Sequence, residues 1–428
     1  MNAPGRATVL GALALALAAP LAAQRPARCR IQFSTSGSGG FTSGPEGETR
    51  WAGGGVRLGC IGQPVRVTTD SAVLHPNGDV DFVGRVNYQD TTVTIAASRA
   101  TFRRATETWE ARGNVAIRNL ETGSTVRGPS VDYLRAAEGV RDSSEVFATG
   151  RPRVDYFDDD SSASAREPYR IVADRLHARG KTIIWAGGRV TIDRSDMAAR
   201  GDSMRLDTGV PDDGSLLGRS PEFRGLGADS FLVRGRRIDF TLEQRKVSGV
   251  LAQQEAHAER QDWKLDADTI AIAVHDDAVQ QINAWGTGRR ADGTSARYGV
   301  RGDSLVIETP ARRLTGLRAF GAAWVAGVVD SVTHERDWLS GDTVVATFAA
   351  ADSADTAKTR LSRLEAHGDA RSYHRVEPEK PGQKAALAYV RAAAITIRMK
   401  ADGSEAAERV DVEGGVNGVQ LDPSGGGG

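Results

Sequence analysis

Six aspartates recur along the chain in one setting, each followed by Ser or Thr: Asp70, Asp202, Asp229, Asp268, Asp303 and Asp342. Carboxylates are the groups of acid–base catalysis and of hard-cation binding, so the series is the first place to look for chemistry. Both uses need several carboxylates converging on one point. One per repeat is instead a structural signature, expected to serve hydrogen bonding at turns or strand edges. The histidines His75, His177, His257, His275, His334, His367 and His374 are scattered, with no His-x-x-x-His pair. Asp158, Asp159 and Asp160 are consecutive and lack the alternating oxygen ligands of a calcium loop. Gly180-Lys181-Thr182 ends like a phosphate-binding loop, but Arg175 stands where its first glycine must be, which leaves a turn. Gly37-Ser38-Gly39-Gly40 reads as a flexible loop. The two Arg-Gly-Asp triplets at Arg200 and Arg301 open an alternating strand pattern. No catalytic constellation, cofactor cradle or metal set emerges, and the chain is not expected to be an enzyme.

The elements that carry these residues repeat. One phrase, apolar-x-Ala-x-Gly, appears as Trp109-Glu-Ala111-Arg-Gly113, Val146-Phe-Ala148-Thr-Gly150 and Ile184-Trp-Ala186-Gly-Gly188. It continues as Ile282-Asn-Ala284-Trp-Gly286, Leu317-Arg-Ala319-Phe-Gly321 and Leu364-Glu-Ala366-His-Gly368. Val80-Asp-Phe82-Val-Gly84 and Val410-Asp-Val412-Glu-Gly414 are variants, and Val250-Leu-Ala252-Gln-Gln254 has lost its glycine. Copies recur at roughly 30 to 47 residues, with a gap near position 217 where one copy has decayed; such a period marks a stacked array. The aspartate phrase precedes most copies, as in Gly201-Asp202-Ser203-Met204-Arg-Leu206.

Both phrases alternate with a period of two, the mark of half-buried strands. Trp109, Ala111, Gly113, Val115 and Ile117 share one face, whereas Glu110, Arg112 and Asn114 take the other. Turn formers such as Pro76-Asn77-Gly78-Asp79 separate the strands. The unit is a hairpin repeated about nine times, and its glycines are expected where the sheet bends. The fold class follows: all-β, with stacked antiparallel hairpins in a solenoid-like array. Alternation turns Ile184, Val190, Ile192, Met204, Leu206, Phe231, Val233, Ile270, Ile272, Val274, Leu305 and Ile307 inward. Ala385 to Met399 is rich in alanine, but Ile395-Thr-Ile397-Arg-Met399 favours a strand.

Breaks in the alternation divide the chain. Residues 24–157 form a first block and 169–422 a second, joined by an acidic, Ser-rich linker at 158–168. Pro211 to Gly214, Ala350 to Lys358 and Glu377 to Lys384 read as loops, and 423–428 as a disordered Gly-rich tail. Residues 1–23 have the charge, apolar run and small-residue site of a secretory signal peptide. Cys29 and Cys60, the two cysteines of the chain, are then expected to form a disulfide worth roughly 3 kcal/mol. Lys plus Arg equal Asp plus Glu at 55 each, which argues against a nucleic-acid partner. Aromatic residues, at 6%, are too sparse for the girdles of a membrane barrel.

The segments Thr69-Asp70-Ser71 through Gly84-Arg85-Val86, Trp109 through Val115, and Ala173-Asp174-Arg175-Leu176 through Ile192 resemble the organic-solvent-tolerance (OstA-like) family. That family includes the LptA-type periplasmic proteins of lipopolysaccharide transport. The resemblance covers most of residues 60–205 and the remainder more loosely. It implies an open, twisted β-jellyroll whose groove shelters the acyl chains of lipopolysaccharide or a related lipid. It also implies end strands that pair with other jellyroll proteins of a transport bridge, or with a second copy. The physics agrees, since each buried CH₂ gives about 0.8 kcal/mol. The expectation is a periplasmic protein, associated with the outer membrane through its role there. A secreted structural solenoid without a lipid ligand is the alternative. A β-helical polysaccharide-degrading enzyme would need clustered acid, base or metal residues, which the sequence does not offer.

Overall fold

Alternating side chains leave a strand only one way to bury its apolar half, which is to stack against other strands that do the same. A computed structural model of the chain describes residues 30–61, 63–157, 167–209, 211–227, 229–244, 246–261, 263–327, 336–350, 359–376, 386–401 and 407–421. Among these residues thirty strands join into one antiparallel sheet, with a short 3-10 turn at Pro310–Arg312 and no α-helix. The sheet runs from Arg30–Thr35 and Gly39–Gly44 to Ala407–Glu413 and Asn417–Leu421.

The long strands are bent near their middle. Ile183–Asp193 and Met197–Asp207 pair as Ile184↔Leu206 before the bend and Ile192↔Ala199 after it, with a register break between Gly187 and Val190. The same break falls at Val83/Val86, Arg112/Val115, Gln253/Ala256, Phe320/Ala323 and His367/Ala370. At each of these breaks one of the paired strands has two consecutive residues with left-handed backbone, as Gly188 (φ 78°) and Arg189 (φ 47°) do. The corners align into a spine, and the two arms of every strand build two facing walls. Residues 183–187 and 203–207 belong to the first wall; residues 190–193 and 197–201 belong to the second.

The recurrent Ala now has a packing reason. Reading across the first wall, the partners run Ala186↔Met204↔Leu216↔Ile238↔Ala252↔Ile270↔Ala284↔Leu305↔Ala319↔Val344↔Ala366↔Ile395. Repeat strands of the first phrase supply Ala where most strands of the second supply a large aliphatic side chain. From Ala252 to Ile395 small and large thus alternate along the row, which lets the layers interlock at protein density. The walls meet through side chains such as Tyr88 and Trp109, with ring centroids 4.2 Å apart, and Phe223 and Phe240 at 5.4 Å.

Several sequence expectations change here. Five of the six repeating aspartates lie at the corners rather than in hairpin turns, as Asp202 does inside Met197–Asp207; Asp229 alone among the six sits in a hairpin connection, between Glu222–Gly225 and Phe231–Arg234. The gap near 217 is no gap in space, because Gly218 turns a corner against Asp202 between Asp213–Leu217 and Glu222–Gly225. The loop expected at Pro211 to Gly214 is shorter, since Asp213 already pairs with Asp207. Gly39 and Gly40 belong to the strand Gly39–Gly44, not to a loop. Ala386–Met399 is a strand, as its alternation indicates. On either side of the acidic segment, Arg153–Tyr156 and Tyr169–Val172 are hydrogen-bonded to each other, so the ladder continues past it. Residues 1–29, most of 158–168, 351–358, 377–385 and 422–428 lie outside the described residues, and with them the signal peptide, Cys29 and the tail.

Candidate functional site

At the corner of Ile183–Asp193, a Cβ added to Gly188 would lie 2.5 Å from Asp174 Oδ2. The neighbouring corner's carboxylate fills the space that a glycine leaves. Gly84 faces Asp70, Gly321 faces Asp303 and Gly368 faces Asp342 in the same way. At two of these corners the residue after the glycine completes the contact: Arg85 donates to Asp70 at 2.6 Å and Arg189 to Asp174 at 2.6 Å. Hydrogen bonding from Arg189 holds the Asp174 carboxyl below its usual range. Asp268 instead accepts the backbone N–H groups of Gly288 and Arg289, at 2.8 and 3.0 Å. These corner aspartates are therefore tied up in the spine, with no pair poised over a shared reacting atom.

The interior is the other candidate. Ile184, Val190, Ile192, Met204, Leu206, Phe231, Val233, Ile270, Ile272, Leu305 and Ile307 all lie in one continuous buried cluster, and half-buried Val274 packs against it. Ile184, Leu206, Ile272 and Ile307 fall on a single row of the first wall, through Gly214, Phe240, Val250 and Ile282. Val190, Ile192, Phe231 and Val233 come from the second wall. Cys60 is buried at one end, on Gly47–Ile61. In this structure the space between the walls is filled by side chains. One cavity of about 40 Å³ opens near the strand tips, lined by Arg260, Trp263, Leu265, Ile272, Ile282, Ile307 and Leu314 among others. That volume holds water but no acyl chain.

Opposite the spine runs a long seam, where the tips of the two walls meet. Sequence reasoning missed it, because its partners are far apart in the chain. Lys181 of the first wall reaches Glu121 of the second at 2.6 Å. Tyr156 donates its hydroxyl to the Lys181 carbonyl at 2.5 Å and meets Thr208 Oγ1 at 2.7 Å. Arg135 approaches Asp90 at 3.8 Å, and Tyr298 sets its ring edge-on to Phe348 at 6.4 Å. Beside the cavity, buried Asp229 takes two hydrogen bonds from Arg260, both 2.9 Å, and one from the Val279 amide at 3.0 Å. Among the described residues no backbone–backbone hydrogen bond joins the walls along this seam.

On the outer face, Glu222 is buried beneath Arg200, Arg224 and Arg234, at 2.7, 2.7 and 2.9 Å. Burial alone would raise its pKa, but the three guanidinium groups more than offset that and hold it at about 2. His177 is stacked between Phe147 and Trp185 and bonded to Glu145 at 2.7 Å. Among the described residues no three or more His, Cys, Asp or Glu side chains are grouped to hold a metal.

Fold and interior together define the class: an all-β, two-walled stack of antiparallel hairpins around a continuous apolar core. No family model and no curated protein matches the chain. Among solved structures it is similar to LptH, the LptA-homologous periplasmic component of the lipopolysaccharide transport device of Pseudomonas aeruginosa. That likeness has 16% identity and a TM-score of 0.26, over 30% of this chain and 94% of the other.

Proposed function

We propose that the chain is a periplasmic lipid-binding protein of lipopolysaccharide transport and outer-membrane assembly, acting without catalysis. The observation that carries this reading is the pair of unbroken apolar rows running along the first wall, with the second wall facing them. An acyl chain laid along those rows would gain about 0.8 kcal/mol per CH₂ removed from water. The lipid is lipopolysaccharide or a related amphiphile, and Ile184, Leu206, Ile272 and Ile307 are the side chains proposed to touch it. At both ends the strands Arg30–Thr35, Gly39–Gly44, Ala407–Glu413 and Asn417–Leu421 pair on one side only among the described residues. Phe41, Val419 and Leu421 are exposed there. Unpaired edges of this kind take up another strand, which suits a neighbouring jellyroll protein or a second copy. The proposed export signal and the Cys29–Cys60 disulfide fit an oxidising compartment.

A photo-crosslinker at Leu206, Ile272 or Ile307 is expected to capture lipopolysaccharide in cells. Capture confined to an outward position such as Arg205 would remove the lipid from the interior. The filled core favours a second reading, a structural solenoid with no lipid ligand. Native mass spectrometry of protein taken from its own envelope separates the two, since the solenoid carries no added lipid mass.

A further inference from the structure

An interior with room for water but not for an acyl chain must open before it can take one. The structure shows where opening is cheapest. Along the spine the two walls are covalently continuous, and corners such as Gly188–Arg189, Gln254–Glu255 and Gly321–Ala322 have two left-handed residues whose dihedrals can absorb a hinge movement. Within each wall, ladders of backbone hydrogen bonds join every strand to the next. Along the seam the walls are held by side chains at intervals: Arg135 and Asp90, Lys181 and Glu121, Tyr156 and Thr208, Asp229 and Val279.

Asp229 differs from the other seam groups. Its carboxylate and the Arg260 guanidinium are both almost fully buried, at 2% and 7% side-chain exposure. Arg260 shares a wall with Asp229, so the pair preorganises the carboxylate. The third hydrogen bond, from the Val279 amide, is the one that crosses to the first wall. The cavity opens beside this point, and Ile272 and Ile307 form part of its lining. Val279 is the second residue of the strand Ala278–Trp285, whose Ile282 pairs with both of them.

We propose that the interior is loaded from the side, through this seam, by the acyl chain of an amphiphilic lipid, and that Asp229 is the latch holding the seam shut at its cavity. Breaking one hydrogen bond to Val279 frees the tip of Ala278–Trp285, and the cavity widens onto the apolar row that the lipid is to follow. The Asp229–Arg260 pair stays intact in the second wall, so neither charge is stranded. The choice of an acyl occupant rests on the lipid-binding reading above; the opening itself does not.

The test is a disulfide across the latch, Asp229→Cys with Val279→Cys in the full chain, its folding verified by thermal melting. Uptake of a pyrene-acyl phosphatidylethanolamine from phosphatidylcholine vesicles is followed by fluorescence. The oxidised variant is expected to take up lipid at least tenfold more slowly than wild type, and reduction, which leaves the seam without its latch carboxylate, is expected to raise the rate to above that of wild type. Asp229→Asn, which keeps the shape but weakens the latch, is expected to load severalfold faster than wild type and to lose exchange protection at the Val279 amide. Equal rates for the oxidised, reduced and wild-type proteins would overturn the side route and leave lipid binding standing. Absence of uptake by all of them would overturn lipid binding itself, and the acyl occupant with it. Unchanged protection at Val279 in Asp229→Asn would overturn the latch whatever the lipid does.

Discussion

Gly188 and Gln254 occupy equivalent corners and obey the same backbone demand with opposite fitness. Gly188 sits at φ 78° with Asp174 packed where a side chain would be. Gly188→Ala therefore meets both a left-handed penalty of about 1–2 kcal/mol and a clash, and is expected to lower stability by about 2 kcal/mol or more. Gln254 holds φ 61° and Glu255 φ 59° without a glycine. Gln254→Gly relieves the first penalty but frees the unfolded chain, so it is expected to leave stability unchanged or raise it by up to about 1 kcal/mol. Urea midpoints of the two variants decide the matter. A loss on Gln254→Gly as large as that on Gly188→Ala would mean that the corner conformation is not what the glycine serves.

Among the elements, Glu222–Gly225 is pinned by one carboxylate under three arginines, from Met197–Asp207, from its own strand and from Phe231–Arg234. A carboxylate depressed from 4.5 to about 2 stabilises the fold above its unfolded pKa, and that contribution disappears as pH falls from about 4.5 through 2. The arginines are half exposed, so solvent screening reduces the effect to roughly 1–2 kcal/mol. Glu222→Gln is expected to melt lower at pH 7 and to match wild type near pH 2; a melting difference constant from pH 7 to pH 2 would rule the ion cluster out as its source. Nothing in the sequence marked Glu222, because its partners come from three strands and its burial from packing. The strands themselves were legible, since alternation is local and Trp109, Ala111, Val115 and Ile117 fall inward as the pattern demands. The corners were half legible: glycine betrayed the bend, but the aspartates read as turn residues because their glycine partners lie fourteen or more positions away, as Gly84 does from Asp70 and Gly188 from Asp174. The seam was illegible, as Asp229 and Val279 are fifty residues apart with no shared motif.

The molecule as a whole is a row of rungs, each touching its neighbours in the stack and little else. Stability in such an array is a sum of rung terms and nearest-neighbour terms, and opening is easiest where a rung lacks one neighbour or buries least. Every residue of Asn417–Leu421 is exposed, and Ala407–Glu413 is nowhere fully buried. In the middle, Ile192, Met197, Leu206, Leu216, Phe223 and Ile238 are fully enclosed. Native-state hydrogen exchange in rising urea is therefore expected to release 407–421 first, at a free energy well below the global value. Protection should climb along the chain to a maximum over residues 190–240, where both walls are complete and aromatic rings bridge them. A lipid held along the first-wall rows would tie many rungs together, so loading should flatten this gradient by raising the weak rungs toward the strong ones. Exchange of all segments together, in one transition, would show instead that the core couples the rungs into a single cooperative unit. The seam could then open only with the whole fold.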